Sequence, residues 1–230
     1  KRASKNERRG YTMNQFIDHT LLKQNAIKED FVKLCEEAKQ YQFKTVCVNG
    51  SRVSLAAELL KDSGVGVCAT IGFPLGAMST PAKAFEAKQC ILDGAVEIDM
   101  VLNIGRLIDG DYDYVVQDIA AVKQAIGSHT LKVIIEACLL TDEQKVQATQ
   151  AVIDAKADFV KTSTGFSTSG ATKEDVALLK SVAKDFIQVK AAGGVRSYED
   201  VMMMLEAGAT RIGTSSGVAL MQGKKVEGSY

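Results

Sequence analysis

Ala95-Val-Glu-Ile-Asp-Met-Val-Leu102, then the segment from Asp111 to Ile126, then Leu131-Lys-Val-Ile-Ile-Glu-Ala137: on this stretch the fold turns. The outer runs are short and nearly continuously apolar, as expected of strands covered on both faces. The middle run puts Val115, Ile119, Val122 and Ile126 on one helical stripe, with Gly127 as its stop. Strand, helix and strand in that order read as a crossover joining parallel strands. Six further runs look like the outer two: Phe16–Leu21, Thr45–Val48, Val65–Ile71, Phe159–Thr162, Ile187–Ala191 and Thr210–Gly213. The eight centres lie roughly 20 to 37 residues apart, the size of one βα unit. Helix signals fill the gaps: Thr80 as N-cap before Pro81, a capping box from Thr141 to Gln144, and starts at Thr172 and Ser197 with Gly208 ending the second. Eight such units predict a single-domain α/β protein, a (β/α)8 TIM barrel. An open doubly wound sheet would ask for a G-x-G-x-x-G turn after an early strand, and none occurs.

Composition agrees. The chain has 230 residues, 46% hydrophobic and 24% charged, which is ordinary for a globular domain. No apolar run approaches the ~18 residues of a membrane span. The 28 basic and 28 acidic side chains cancel, which argues against a nucleic-acid partner. That zero conceals an asymmetry. Residues 1–12 hold five basic groups and one acid, leaving 23 basic and 27 acidic residues and a net charge of −4 for the rest. We expect 1–12 to be a leader outside the fold (a cloning remnant or mis-set start rather than a presequence), 13–222 to be the barrel and 223–230 a flexible tail. Five cysteines without a C-x-x-C pair suggest no disulfide framework and a reducing, cytoplasmic setting. Cys47, Cys68 and Cys138 lie in apolar runs and read as small core residues. His19 and His129 are the only histidines, too few for a zinc lyase, so no metal or other cofactor is expected. His19 is expected to hydrogen-bond within the first strand, and His129 to lie in a polar loop.

Barrel enzymes carry their chemistry at the C-terminal ends of strands. Those ends hold Asp18 and Thr20, Asn49, Asp99 and Asn103, Glu136, Lys161 with Thr164 and Gly165, Lys190 with Gly193 and Gly194, and Gly213 with Thr214, Ser215 and Ser216. Lysine is rarely buried unpaired, and helices cover the outer face, so Lys161 and Lys190 are expected inside. Burial and a second ammonium both lower a lysine's pKa from about 10.4 and free an amine to attack a carbonyl. Either lysine could be that nucleophile. Asp99 is suited to carry protons or to balance an ammonium. The glycines and hydroxyls after the last strands suit a phosphate held by backbone N–H groups, although tight turns would also use them.

Five blocks resemble the 2-deoxyribose-5-phosphate aldolase family: Ile17–Leu21, Val96–Val101, Val160–Phe166, Val189–Arg196 and Arg211–Ser216. The resemblance runs from about Met13 to Ser216. It implies a metal-free class I aldolase that reversibly cleaves 2-deoxy-D-ribose 5-phosphate to acetaldehyde and D-glyceraldehyde 3-phosphate, in deoxyribose catabolism. It implies Lys161 as the Schiff-base lysine, Lys190 as the neighbour lowering its pKa, and Asp99 as proton relay. Asp18, Thr20 and Thr164 are then expected at the substrate, and Gly165, Gly193, Gly194, Val195, Gly213, Ser215 and Ser216 around the phosphate. Phe166 stands where some members have a lysine. Tyr230 resembles a terminal tyrosine that reaches the site as proton donor, with a frayed tail as the alternative. The implied partners are small sugar phosphates and aldehydes, and a second copy in a homodimer or homotetramer. Two other readings compete: a Schiff-base aldolase for another sugar phosphate, and a sugar-phosphate-binding protein without turnover.

Overall fold

In the computed structural model, which describes residues 13–227, every apolar run becomes a parallel strand. The strands are β1 Ile17–Leu21, β2 Thr45–Asn49, β3 Gly66–Ile71, β4 Glu97–Val101, β5 Thr130–Ile134, β6 Phe159–Lys161, β7 Gln188–Ala192 and β8 Arg211–Thr214. Each pairs with the next, and β1 pairs with β8, so the sheet closes into the expected barrel. The helices among the described residues are α1 Lys28–Tyr41, α2 Val53–Leu59, α3 Thr80–Leu92, α4 Ile104–Ile108, α5 Tyr112–Ile126, α6 Asp142–Asp154, α7 Lys173–Ala183, α8 Tyr198–Ala207 and α9 Gly217–Met221. No helix of the described residues is long and apolar enough to cross a membrane. The leader 1–12 and Tyr230 lie outside the described residues. Within the segment read as a tail, the Val226 N–H donates to the Arg196 carbonyl.

α5 forms for the reasons its sequence suggests. Val115, Ile119, Val122 and Ile126 are all buried, and Gly127 ends the helix at φ 63°. Each such side chain contributes about 1.5–3 kcal/mol when fully buried. Thr141 and Gln144 form their capping box, and Thr172 and Ser197 cap α7 and α8 through their side chains. The N-cap of α3 is Ser79 rather than Thr80, which shifts Pro81 to the second helical position. The freed Thr80 hydroxyl instead donates to Asp118 of α5 at 2.6 Å. The fifth strand is also shorter than its apolar run. It stops at Ile134, and Glu136 turns the chain with a left-handed backbone at φ 51°.

The apolar core lies outside the barrel, between strands and helices. Val46, Val48, Val67, Ala69, Ile98, Met100, Leu131, Val133, Val160, Val189, Ala191 and Ile212 belong to it. These are the alternate positions of each strand. The other set points at the axis and is largely polar: Asp18 and Thr20, Cys47 and Asn49, Cys68 and Thr70, Glu97 and Asp99, Lys132, Lys161, Lys190 and Arg211. Barrel interiors usually hold bulky branched side chains. Here a buried charge cluster takes their place, and its members reach one another across the axis: Lys132 of β5 lies 3.3 Å from Asp18 of β1.

Candidate active site

Lys161 ends β6 and pairs in register with Lys190 of β7, which pairs with Arg211 of β8. The parallel register therefore lines up three cations on adjacent strands. Asp99 of β4 pairs with Lys132 of β5, a residue not singled out by its sequence. Asp99 is the hub. Its Oδ2 accepts from Lys161 Nζ at 2.9 Å and Lys190 Nζ at 2.8 Å, and its Oδ1 from Lys132 Nζ at 3.0 Å and Cys68 Sγ at 3.2 Å. Asp18 accepts from Lys190 at 2.6 Å and, on its other oxygen, from Thr45 at 2.8 Å and Arg211 at 3.0 Å. Glu97 closes the floor. It lies 2.5 Å from Lys132 and takes a two-pronged Arg211 fork at 2.7 and 3.2 Å. The Arg211 guanidinium also stacks 5.2 Å from the Phe159 ring centre.

Burial opposes the charges of Asp18, Asp99, Lys132, Lys190 and Arg211, and their neighbours reverse it. Burial raises the Asp99 carboxyl, but Lys132, Lys161 and Lys190 together hold it well below the usual carboxylate range. Asp18 is likewise held low by Lys132, Lys190 and Arg211 against its burial. Burial pulls the Lys190 ammonium down, yet Asp18 and Asp99 lift it well above the ordinary lysine value. Lys132 is lifted in the same way by Asp18, Asp99 and their neighbours. These two lysines and Arg211 are thus fixed cations.

Reading β-strand ends alone missed Lys132, Glu97 and Arg211: Glu97 and Arg211 open β4 and β8, and Lys132 lies mid-strand in β5, level with Asp99. Their signal is parity. Glu97 shares the side of Asp99, and Arg211 the side of Gly213. Two other expectations need correction. Cys47 and Cys68 are not fillers of the apolar core: they are inward-facing register partners on β2 and β3, and Cys68 touches Asp99 and Lys132. Cys138 is partly exposed in a 3-10 turn. Burial raises its thiol, but hydrogen bonds from Ser167, Thr168 and Ser169 outweigh it and lower it overall. His19 does not bond within its strand. It points outward, and its Nε2 lies 2.7 Å from Glu37 of α1.

The other expected residues fall around the mouth. Thr20 is buried, with its hydroxyl donated to the Asp18 carbonyl. Thr164 donates its N–H and its hydroxyl to Glu136, which pins the loop after Lys161. Gly165, Gly193 and Gly194 adopt φ of 85°, 77° and 75°. Gly165 and Gly194 are at least partly open, as are Ser215 and Ser216. The side chain of Val195 belongs to the apolar core, so only its backbone is available. Gly213 lies deeper, where an added Cβ would stand 3.0 Å from Lys190 Cε. Its bare backbone makes room for the lysine. Gly213-Thr-Ser-Ser-Gly217 has the spacing of a nucleophile elbow. Neither histidine serves Ser215, since His19 faces Glu37 and His129 Nδ1 faces the Ile126 carbonyl.

Among the described residues, one group could hold a metal by distance: the ligating atoms of Cys47, Cys68 and Asp99 lie within 4.8 Å. Three lysine amines already occupy the same carboxylate, which disfavours a further cation there. What the cluster can do is organic. It presents a lysine amine beside a carboxylate and two fixed cations, as imine formation and proton transfer at carbon require.

Residues 12–223 match the family described as DeoC/LacD family aldolase. The chain belongs to this aldolase family. A deoxyribose-phosphate aldolase 1 of Mesoplasma florum is 56% identical over 218 residues, covering 95% of this chain and 99% of that protein. A deoxyribose-phosphate aldolase of Geobacillus sp. is 58% identical over 217 residues, covering 94% and 97%. Among solved structures, the tetrameric deoxyribose phosphate aldolase from Aeropyrum pernix superimposes with a TM-score of 0.84 at 34% identity, covering 91% of this chain and 89% of that one. The buried cluster lies inside the barrel of this aldolase, with Asp99 on β4, Lys161 on β6 and Lys190 on β7.

Proposed function

We propose that this aldolase reversibly cleaves 2-deoxy-D-ribose 5-phosphate to acetaldehyde and D-glyceraldehyde 3-phosphate through a Schiff base on Lys161. The observation that carries the choice of lysine is the pattern of contacts. Lys132 meets Asp18, Glu97 and Asp99, Lys190 meets Asp18 and Asp99, and Arg211 meets Asp18 and Glu97. Among the described residues Lys161 meets Asp99 alone, on an oxygen it shares with Lys190. Four cationic side chains thus face three carboxylates. The fixed cations balance the acids, and Lys161 is the one whose charge the cluster does not need.

The steps follow. Lys161 Nζ adds to the C1 aldehyde of the open-chain sugar, and loss of water leaves a protonated imine. The C3 hydroxyl gives up its proton as the C2–C3 bond breaks, and the bonding electrons move to the imine nitrogen as an enamine. Glyceraldehyde 3-phosphate leaves, C2 takes a proton, and water hydrolyses the imine to release acetaldehyde. Asp99 Oδ2 touches both Lys161 and Lys190, so it can pass a proton between the Lys161 amine and a water while Lys190 stays charged. In this reading Asp18 orients Lys190, while Thr20 and Thr164 border the substrate. The partly open backbone of Gly165 and Gly194 faces the phosphate with Ser215 and Ser216, the buried backbone of Gly193 and Val195 shapes the turn behind it, and Gly213 accommodates Lys190. Tyr230 is assigned as an auxiliary proton donor on the family resemblance alone.

Homo-oligomers are part of the proposal. α3 leaves Phe85 and Leu92, seven residues apart on one stripe, 72% and 70% exposed, and the Aeropyrum pernix relative is described as tetrameric. The free thiols at all five cysteines support a reducing, cytoplasmic setting. The deciding experiment is reduction with borohydride in the presence of deoxyribose 5-phosphate, followed by peptide mapping. A two-carbon reduced adduct on Lys161 is expected. An unlabelled, still active enzyme, or an adduct on Lys190, would overturn the assignment.

A further inference from the structure

Lys161, Lys190, Ser163 and Thr164 are all fully buried, although they stand at the end of the barrel where substrate enters. Something covers them. Phe73 lies two residues beyond the end of β3, and Phe166 five residues beyond the end of β6. Their rings meet edge to face, with centroids 5.3 Å apart and planes at 86°. β3 and β6 stand three places apart in a closed ring of eight. A contact between loops from such separated strands has to pass over the mouth.

We infer that Phe73 and Phe166 form an aromatic roof over the Lys161 amine, which parts to admit substrate and sets how bulky an aldehyde the site accepts. The inference rests on the Schiff-base role of Lys161 for its catalytic meaning, though not for its geometry. Space exists for the movement. Phe73 lines a cavity of about 660 Å³, bordered by Asn49, Thr70, Phe85 and Gln89, into which its ring can turn. Phe166 is 46% exposed, so solvent lies on its outer side. Both loops are anchored at their bases. The β3–α3 loop is tied by the Gly72 N–H on Glu86 and by Gly76, whose Cα packs against the Leu102 carbonyl. Phe166 is tied through its N–H to the Thr164 hydroxyl, next to the lysine itself. Loss of either ring removes the same contact, so the two should act as one unit rather than add.

The test uses the full chain carrying Phe73→Ala, Phe166→Ala or both, with Phe166→Leu retaining apolar bulk. Amine labelling with acetic anhydride, mapped by mass spectrometry, reads the exposure of Lys161 without any turnover. The alanine variants should label Lys161 roughly two- to tenfold faster, the factor an edge-to-face ring pair contributes to a closing equilibrium. The double variant should go little further than either single one. In aldol addition, kcat/KM for branched aldehydes should rise relative to that for glyceraldehyde 3-phosphate, and Phe166→Leu should fall between. Unchanged labelling of Lys161 in folded alanine variants would overturn the roof, and so would an unaltered order of aldehyde preference. Faster labelling with no borohydride adduct in the unaltered enzyme would instead leave the roof standing and remove the Schiff-base assignment.

Discussion

Asp99 receives three lysines and a thiol, and its removal separates charge from shape. Asp99→Asn keeps the size and one acceptor oxygen but leaves the cluster with four cations and two carboxylates. Removing one partner of a buried ion pair costs about 3–5 kcal/mol, and losing a positioned proton carrier costs roughly 10²–10⁴ in rate. We expect Asp99→Asn to lose at least about a hundredfold in kcat and to melt well below the parent, as read by steady-state kinetics and circular dichroism. The depressed carboxyls also fix the pH response. Asp18 and Asp99 sit below their unfolded value of about 3.9, so their contribution is complete above that value and is lost as pH falls through the folded values. Lys132 and Lys190 are raised, so theirs is complete below about 10.4 and lost only as pH rises through the elevated folded values. Tm should be flat through neutrality and fall below about pH 4, with a shallower fall in Asp99→Asn; an identical acid slope in the variant would contradict this. Lys161, Lys190 and Asp99 were legible in the sequence because a charge inside an apolar run demands an explanation. Arg211 was not, since a cation at the start of a strand can also reach solvent, and only the closed register shows that it turns inward; Lys132 carries the same signal inside Leu131–Ala137 and is missed when only strand ends are read.

At the scale of elements, α3 and α5 are joined by a polar clamp. Lys83 Nζ lies 2.7 Å from Asp118 Oδ2 with both side chains fully buried, and Thr80 donates to the other oxygen. Burial pulls the Lys83 ammonium down, and the Asp118 bond only partly restores it. Such a pair is poor evidence of net stability but expensive to break. Lys83→Met is therefore expected to cost about 3–5 kcal/mol, and Lys83→Met with Asp118→Leu to recover most of it. Urea unfolding of the two variants checks this, and equal losses in both would refute it. The helix itself was readable from Thr80-Pro81, and the clamp was not: its partners are 35 residues apart, and which hydroxyl caps the helix depends on where Asp118 sits. The strands show the same division. Their existence followed from apolar runs, while the bend at Glu136 came from its bonds to Thr164 on the next strand's loop.

The whole molecule keeps two interiors apart. An apolar shell between strands and helices supplies the driving force to fold, and a buried charge cluster runs along the axis. The sequence shows the first as continuous runs and blurs the second, because strands buried on both faces look alike from either side until parity is applied. The near-zero net charge hides the axis as well, since seven charged side chains meeting at one point leave almost no mark on a sum over the chain. Function and stability should then pull apart at Lys161. Its only described ion-pair partner is Asp99, which two other lysines also hold. Lys161→Met replaces a buried cation by an apolar chain of similar length and leaves Lys132, Lys190 and Arg211 against Asp18, Glu97 and Asp99, three charges of each sign. Replacing buried charge with well-packed apolar groups is often neutral or stabilising by about 1–4 kcal/mol, and residues held for function commonly cost stability. Lys161→Met should abolish aldol cleavage and the borohydride adduct while its Tm equals or exceeds that of the parent. Lys190→Met strips Asp18 and Asp99 of a shared cation and should melt lower. Calorimetry of the two variants side by side decides it, and a Lys161→Met protein less stable than Lys190→Met would mean that the surplus charge lies elsewhere in the cluster.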